Sequence, residues 1–286
     1  MNNKVKIMKA ENSGMCFGVK RAIKLAREAA KKSDSSVYTL GAIIHNPQAV
    51  EVLKRRNIFP IDSILQLENK DTVILRSHGV PQYVWEELVK KGVNIVDATC
   101  PFVKKAQRIV SDLAKQRKRT LIIGDKNHPE VIGIKSYAEK NAIIVNSIKE
   151  LKTKDLPENL SIISQTTQPF NKIDTVVEYL ESRGIKSIIY NTICDATMKR
   201  QEEAYDIANK VDLVIVIGGK NSSNTRRLFE ICKEVKKDTI HIEDEKEVDI
   251  SLFNKKNIIG IVTGASTPSW IIRKVITKLR RLLNYD

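Results

Sequence analysis

Residues 213–229 read LVIVIGGKNSSNTRRLF, and their order decides the fold. An unbroken apolar run, β-branched at four of five positions, is the pattern of a strand covered on both faces. The run ends in Gly218-Gly219, passes through the polar tip Asn221-Ser222-Ser223-Asn224, and gives way to a helical pattern. The same pattern occurs twice upstream. VYTLGAIIHNPQAVEVL (37–53) carries His45-Asn46 at its tip, and TLIIGDKNHPEVIGI (120–134) carries Asn127-His128-Pro129. Self-similarity of this kind has to be read before any local propensity.

Each copy has a second member further on: VILRSHGVPQYVWEEL (73–88), SIISQTTQPFNKIDTVVEYL (161–180) and IIGIVTGASTPSWIIRKVI (258–276). Their tips are Ser77-His78-Gly79, Gln165-Thr166-Thr167 and Gly264-Ala265-Ser266-Thr267. A proline follows each tip within three residues, where a helix start tolerates its missing N–H. A third member carries a thiol. Cys16 lies in KIMKAENSGMCFGVKRAIKLA, Cys100 in NIVDATCPFVKKAQRIV and Cys194 in SIIYNTICDATMKRQEEA. The cysteines are 84 and 94 residues apart, and a basic pair follows each within six residues (Lys20-Arg21, Lys104-Lys105, Lys199-Arg200).

Three copies of about 90 residues thus supply nine strand-to-helix loops, and the unusual chemistry sits on them. Strands alternating with helices imply parallel sheets, whose ligands bind outside the carboxyl ends of the strands. One thiol per copy suggests three thiols converging on one centre. That points to a metal, and best to an iron–sulfur cluster with one iron left without a protein ligand. A zinc finger would carry close pairs such as C-x-x-C, and the sequence has none. Copies one and two each end in a strand leading to the next cysteine, whereas copy three ends in a helix. The opening strand Lys4–Lys9 is therefore expected to complete the third sheet. The expected lobes are 10–98, 99–192, and 193–286 joined by strand 3–9.

Composition narrows the class. No apolar run reaches membrane-spanning length, and the start lacks a secretory core, so a cytoplasmic protein is expected. Four cysteines in that setting read as ligands or core thiols rather than disulfides. A net charge of +15 fits nucleic acid, an acidic protein partner, an anionic substrate or a solvated lysine-rich surface. No RNA-binding or helix-turn-helix pattern accompanies it. No Walker A or dinucleotide glycine fingerprint is present, so direct NADPH binding is not supported.

Several strings then match one family. GMCFGVKRAI, GAIIHNPQAV, LRSHGV, VDATCPFV, HPEVIGI, SQTT, TIC and AT on either side of Asp195, KNSSNT and TGASTP run from residue 14 to 268. In these the chain resembles the 4-hydroxy-3-methylbut-2-enyl diphosphate reductases of the non-mevalonate isoprenoid pathway. The resemblance implies an α/β fold of three pseudo-symmetric lobes, each a small parallel sheet with flanking helices, arranged as a trefoil around a central iron–sulfur cavity. It implies reductive dehydroxylation of (E)-4-hydroxy-3-methylbut-2-enyl diphosphate to isopentenyl and dimethylallyl diphosphate. Cys16, Cys100 and Cys194 would hold a [4Fe–4S] cluster whose unique iron binds the substrate hydroxyl. His45, His78, His128, Ser222, Ser223, Asn224 and Ser266 would hold the diphosphate. Glu130 would be the acid, and Thr166 would orient it and the hydroxyl.

The implied partners are the small allylic diphosphate and a ferredoxin- or flavodoxin-type electron donor, with no nucleic acid and no membrane, in a monomer or weak dimer. The sequence departs from the family at Asn191, where Asp is expected, at Asp195, where an aromatic is expected, and at Ser269, where Asp is common. None of the three is an implied ligand or the acid. Plainer roles compete at each position. His–Pro and Ser–Asn loops cap helices, and Glu130 suits the positive end of a helix dipole. Cys232 shares an apolar helix face with Leu228, Ile231 and Val235 and reads as a core thiol, while His241 alternates within a strand. Trp85 and Trp270 read as packing. Two rival functions stand beside the reductase: a non-redox open-iron hydro-lyase, and a metal-dependent nucleic-acid-binding regulator.

Overall fold

In the computed structural model, residues 5–138, 140–253 and 256–283 are described. Residues 3 and 4 of the expected first strand and 284–286 of the expected third lobe lie outside the described residues. The elements begin with β1 (Lys6–Lys9), α1 (Phe17–Lys32), β2 (Val37–Leu40), α2 (Pro47–Lys54), β3 (Ile58–Ile61), β4 (Thr72–Leu75), α3 (Gln82–Lys90) and β5 (Asn94–Asp97). Next come α4 (Pro101–Lys115), β6 (Thr120–Ile123), α5 (Pro129–Ser136), β7 (Ala142–Val145), α6 (Ile148–Leu151), β8 (Asn159–Ser164), α7 (Phe170–Ser182) and β9 (Lys186–Ile189). The chain continues through α8 (Asp195–Lys210), β10 (Leu213–Ile217), α9 (Ser223–Val235), β11 (Thr239–Ile242), β12 (Ile258–Thr263) and α10 (Ser269–Leu282).

The expected class, α/β with three small parallel sheets and flanking helices, is the class observed. The sheets have the orders β3-β2-β4-β5, β7-β6-β8-β9 and β11-β10-β12-β1, and every pairing is parallel. In the last sheet β1 takes the place that β5 and β9 take in the others. It pairs with β12 in the register Lys6 to Ile258 through Lys9 to Ile261. Each sheet also has an edge strand that the repeat pattern does not count: β3, β7 or β11. These are four residues long, and β3 contains Pro60, which an edge strand accommodates.

The chain divides into two compact units. One comprises Met1–Lys20, Ile44–Val52 and Asp195–Asp286, the other Arg21–Ile43 and Leu53–Cys194. In the first, β10 explains its own sequence. Leu213, Ile215 and Ile217 pack with Ile259 and Ile261 against Ile271, Val275 and Leu279 of α10. Val214 and Val216 face the other way, onto Ala204, Ile207 and Ala208 of α8 and Leu228 and Cys232 of α9. Both faces are covered, so no polar position interrupts the run; each such side chain contributes about 1.5–3 kcal/mol on full burial. Gly260 of β12 lets α8 approach, since a Cβ there would stand 2.5 Å from Ile207 Cγ2.

The second unit holds the other two sheets. On one, Val73 and Leu75 pack with Ile61, Leu67 and Leu88. On the other, Ile122 and Ile163 pack against Ala106 and Val110 of α4 and Val131 and Ile134 of α5. Within each parallel sheet the carboxyl ends of the strands share one edge, and the polar tips of the repeat leave from that edge.

Candidate active site

The three cysteines sit at equivalent points. Each directly precedes or opens a helix: Cys16 before α1, Cys100 as the N-cap of α4, and Cys194 before α8. None of the three is in a disulfide, and all are half-buried. Each also gives its backbone N–H to the loop after the neighbouring strand of its own sheet. Cys16 donates to the Ala265 carbonyl at 2.9 Å, Cys100 to Ser77 at 2.9 Å and Cys194 to Thr166 at 3.2 Å. The acceptors stand beside Ser266, beside His78, and at Thr166 itself. Cysteine binds metal as the thiolate.

Glu130 lies in the first turn of α5 and is 2 % exposed. Its Oε1 accepts the Thr166 N–H at 2.6 Å, and its Oε2 accepts the Thr166 hydroxyl at 2.9 Å. Burial pushes its pKa from 4.5 up to about 7, against the two Thr166 bonds, which pull it down. His128 caps the same helix, and its Nδ1 accepts the Glu130 N–H at 3.2 Å. A neutral His128 ring therefore carries its proton on Nε2. The His78 ring lies edge-on to it, with centroids 5.4 Å apart. The second unit thus gathers His78, His128, Glu130 and Thr166, and it also contains Cys100 and Cys194.

The first unit gathers His45, Ser222, Ser223, Asn224 and Ser266 around the start of α9, and it also contains Cys16. Ser222 is the N-cap, its hydroxyl accepting the Thr225 N–H at 3.3 Å. Ser266 donates its hydroxyl to the His45 carbonyl at 3.4 Å. That carbonyl stands so close to Gly219 that a Cβ there would lie 2.3 Å away, so only glycine fits. Asn224 is 6 % exposed, and neither its Oδ1 nor its Nδ2 has a hydrogen-bond partner among the described residues. A buried amide in that state is costly in the absence of a ligand.

The remaining positions take the plainer roles. Cys232 is fully buried, its thiol donates to the Ala204 carbonyl at 3.6 Å, and burial pushes its pKa up to about 12. His241 lies in β11 with Nε2 2.8 Å from the Gly218 carbonyl. Trp85 and Trp270 pack on hydrophobic clusters. Asn191, at the end of copy two, keeps the turn that the corresponding Asp97 makes at the end of copy one. Asp97 Oδ1 accepts the Thr99 N–H at 3.0 Å, and Asn191 Oδ1 accepts the Ile193 N–H at 3.1 Å. Asp195 is an exposed acid in the first turn of α8, and Ser269 is the exposed first residue of α10.

Sequence reasoning missed two buried groups. Gln165 is wholly buried, its Oε1 accepting the Asp125 N–H at 3.2 Å and its Nε2 donating to Thr167 Oγ1 at 3.1 Å, so it ties the β6 loop to the β8 loop. Its place in the Ser-Gln-Thr-Thr tip was the available signal. Arg200 is only 7 % exposed, and its membership of a repeated basic pair was the signal there.

Residues 7–280 match the family model described as LytB protein. This chain belongs to that family. A relative from Caldanaerobacter subterraneus subsp. tengcongensis, called 4-hydroxy-3-methylbut-2-enyl diphosphate reductase, is 45% identical over 285 residues, 99% of each chain. A solved structure of (E)-4-hydroxy-3-methyl-but-2-enyl diphosphate reductase, the terminal enzyme of the non-mevalonate pathway, is 43% identical. It aligns with a TM-score of 0.72, covering 97% of this chain and 99% of its own. The E-1-hydroxy-2-methyl-but-2-enyl-4-diphosphate reductase from Plasmodium falciparum is 28% identical with a TM-score of 0.92, covering 97% and 88%. The LytB family uses an iron–sulfur cluster. Among the described residues, no helix is long and apolar enough to cross a membrane.

Proposed function

We propose that this chain is an oxidoreductase that removes the allylic hydroxyl of (E)-4-hydroxy-3-methylbut-2-enyl diphosphate, giving isopentenyl and dimethylallyl diphosphate. The observation that carries the reading is the thrice-repeated bond from a cysteine N–H to a loop holding a proposed substrate ligand. Membership of the LytB family disfavours both the hydro-lyase and the nucleic-acid-binding regulator.

In this reading Cys16, Cys100 and Cys194 hold a [4Fe–4S] cluster. Their fit rests on three cysteines outside disulfides at helix starts, with backbones fixed by neighbouring loops. When bound, the cluster supplies two electrons, one at a time, and a Lewis-acidic iron. The electrons come from a ferredoxin- or flavodoxin-type donor, to which the basic chain is electrostatically suited.

The residues of the chain do the rest. His45, His78, His128, Ser222, Ser223, Asn224 and Ser266 hold the diphosphate. The start of α9 offers backbone N–H groups and the positive end of a dipole to phosphate. Asn224 brings an amide that needs partners, and His128 brings an Nε2 donor. Glu130 is the acid. Its Oε1 accepts a backbone N–H that cannot turn away, so the carboxyl proton sits on Oε2, facing Thr166 Oγ1. Donation from Oε2 to Oγ1 frees the threonine proton for the leaving hydroxyl. A pKa of about 7 keeps that proton available near neutrality.

The test is anaerobic reconstitution followed by turnover with a dithionite-type donor, with iron counted per chain. Cysteine-dependent iron and reductant-dependent formation of both isomers are expected. Turnover without reductant would establish the hydro-lyase instead. Full iron in Cys100→Ser with loss in Cys232→Ser would overturn the ligand assignment.

A further inference from the structure

The basic pairs that follow the cysteines have no part in that chemistry, yet they make a repeated set of contacts. Arg21, in α1, donates from Nη1 to the Thr99 carbonyl at 3.2 Å and from Nη2 to the Asp97 carbonyl at 3.4 Å. Lys105, in α4, donates from Nζ to the Asn191 carbonyl at 3.3 Å. Arg200, in α8, donates from Nη2 to the Gly14 carbonyl at 2.9 Å and from Nη1 to Ala196 of its own helix at 2.9 Å. Every target outside the residue's own helix lies one to three positions before a cysteine. In copy order, the side chain of copy one reaches the cysteine loop of copy two, that of two reaches three, and that of three reaches one. Each contact lies within one of the two compact units.

A solvated helix face would not produce this pattern. A single arginine on a carbonyl is ordinary; three basic side chains, each the second of its pair and five or six residues after its cysteine, each directed to the turn before the next thiol, are not. The Gly14 peptide shows the effect most fully. Its N–H is taken by Thr263 Oγ1 at 2.7 Å and its carbonyl by Arg200, while Cys16 itself is bonded to Ala265. The turn is held on both sides of the peptide. Bonds from a charged donor are roughly twice as strong as neutral ones, and outer partners of this kind orient metal ligands. A fixed cation two residues before a thiolate also favours the more negative state of whatever the thiolate binds.

We infer that Arg21, Lys105 and Arg200 are positioning residues, each holding the cysteine loop of the next copy in the geometry that retains the iron–sulfur cluster. The inference rests on the proposed three-cysteine cluster, and the experiment separates the two. Lys105→Met, Arg200→Met and Arg200→Lys are reconstituted anaerobically beside wild type and Lys115→Met, a control at the exposed far end of α4. Three quantities are measured: the rate of iron loss to a chelator, the midpoint potential, and the melting temperature of the iron-free protein. Lys105→Met and Arg200→Met are expected to lose iron about tenfold faster and to shift the potential negative, with Arg200→Lys intermediate and Lys115→Met unchanged.

Lys105 is exposed, so its variant should melt with wild type. That variant keeps the test open if Arg200→Met fails to fold. Wild-type iron retention and potential in Lys105→Met would overturn the inference. So would faster iron loss matched by an equal fall in iron-free stability. A wild-type protein that takes up no cluster, or a Cys16→Ser variant with full iron, would overturn the cofactor reading and this inference with it.

Discussion

Replacing Glu130 by Gln keeps the shape and most of the hydrogen bonding, because the Gln oxygen can accept the Thr166 N–H and its amide can donate to Thr166 Oγ1. What disappears is the titration. The native carboxyl holds its proton up to about pH 7, whereas an unfolded glutamate releases it near 4.5. Between those values the unfolded state binds fewer protons, so rising pH favours unfolding through this group. At about 1.36 kcal/mol per pH unit, the ionised, buried carboxylate costs the native state about 3 kcal/mol above pH 7 and nothing below 4.5. The variant should therefore gain about 3 kcal/mol on wild type between roughly pH 4.5 and pH 8. Equilibrium urea unfolding of the iron-free proteins across that range reads it directly. In turnover, activity of the wild type should fall as pH rises through about 7, since the acid is then spent as carboxylate. The variant should lose that limb and drop by on the order of 10²-fold or more. A stability difference constant across the range, or near wild-type turnover in the variant, would refute the acid role and leave Glu130 as a first-turn partner of the α5 dipole.

Three further outcomes are expected. Asn224→Leu should weaken inorganic pyrophosphate binding by about 10- to 100-fold, while the ligand-free protein gains up to about 1 kcal/mol from loss of an unsatisfied amide; calorimetry and urea unfolding measure the two, and unchanged affinity removes Asn224 from the clamp. Gly219→Ala must displace the His45 carbonyl, so pyrophosphate affinity should fall with a stability loss of about 1–3 kcal/mol; wild-type values for both would show that the contact relaxes freely. Cys232, with its pKa pushed up to about 12, should resist iodoacetamide in native iron-free protein at about pH 8, whereas Cys16, Cys100 and Cys194 react; mass spectrometry of the labelled peptides decides it.

The sequence carried the parallel sheets because their signal is local. Strands β4, β6, β8, β10 and β12 are largely apolar runs buried on both faces, and the tips that follow them are punctuated by glycine or proline. Thiols, histidines and Glu130 were visible as residue types at corresponding loop positions. The edge strands β3, β7 and β11 were harder, since four residues such as IFPI do not separate strand from loop until a neighbouring backbone is in place. The contacts that give the loops their order were not legible at all. A bond from Cys100 N–H to the Ser77 carbonyl, or from Arg200 to Gly14, joins backbone atoms that every residue possesses. Only the folded register chooses among them. The basic pairs were seen as a motif, but their targets lie 78 and 186 residues away for Arg21 to Thr99 and Arg200 to Gly14.

The pairing of β1 with β12 has a consequence for the order of events on the ribosome. Cys16 is translated long before its partners, yet its N–H is bonded to Ala265 and its loop to Thr263. Those anchors leave the exit tunnel after Cys100 and Cys194. The first thiol made is therefore the last to find its place, and a nascent chain can present Cys100 and Cys194 in their folded loops while Cys16 still hangs from an unpaired strand. In the proposed reading, completion of the three-cysteine site is thereby deferred until β12 has emerged and paired with β1.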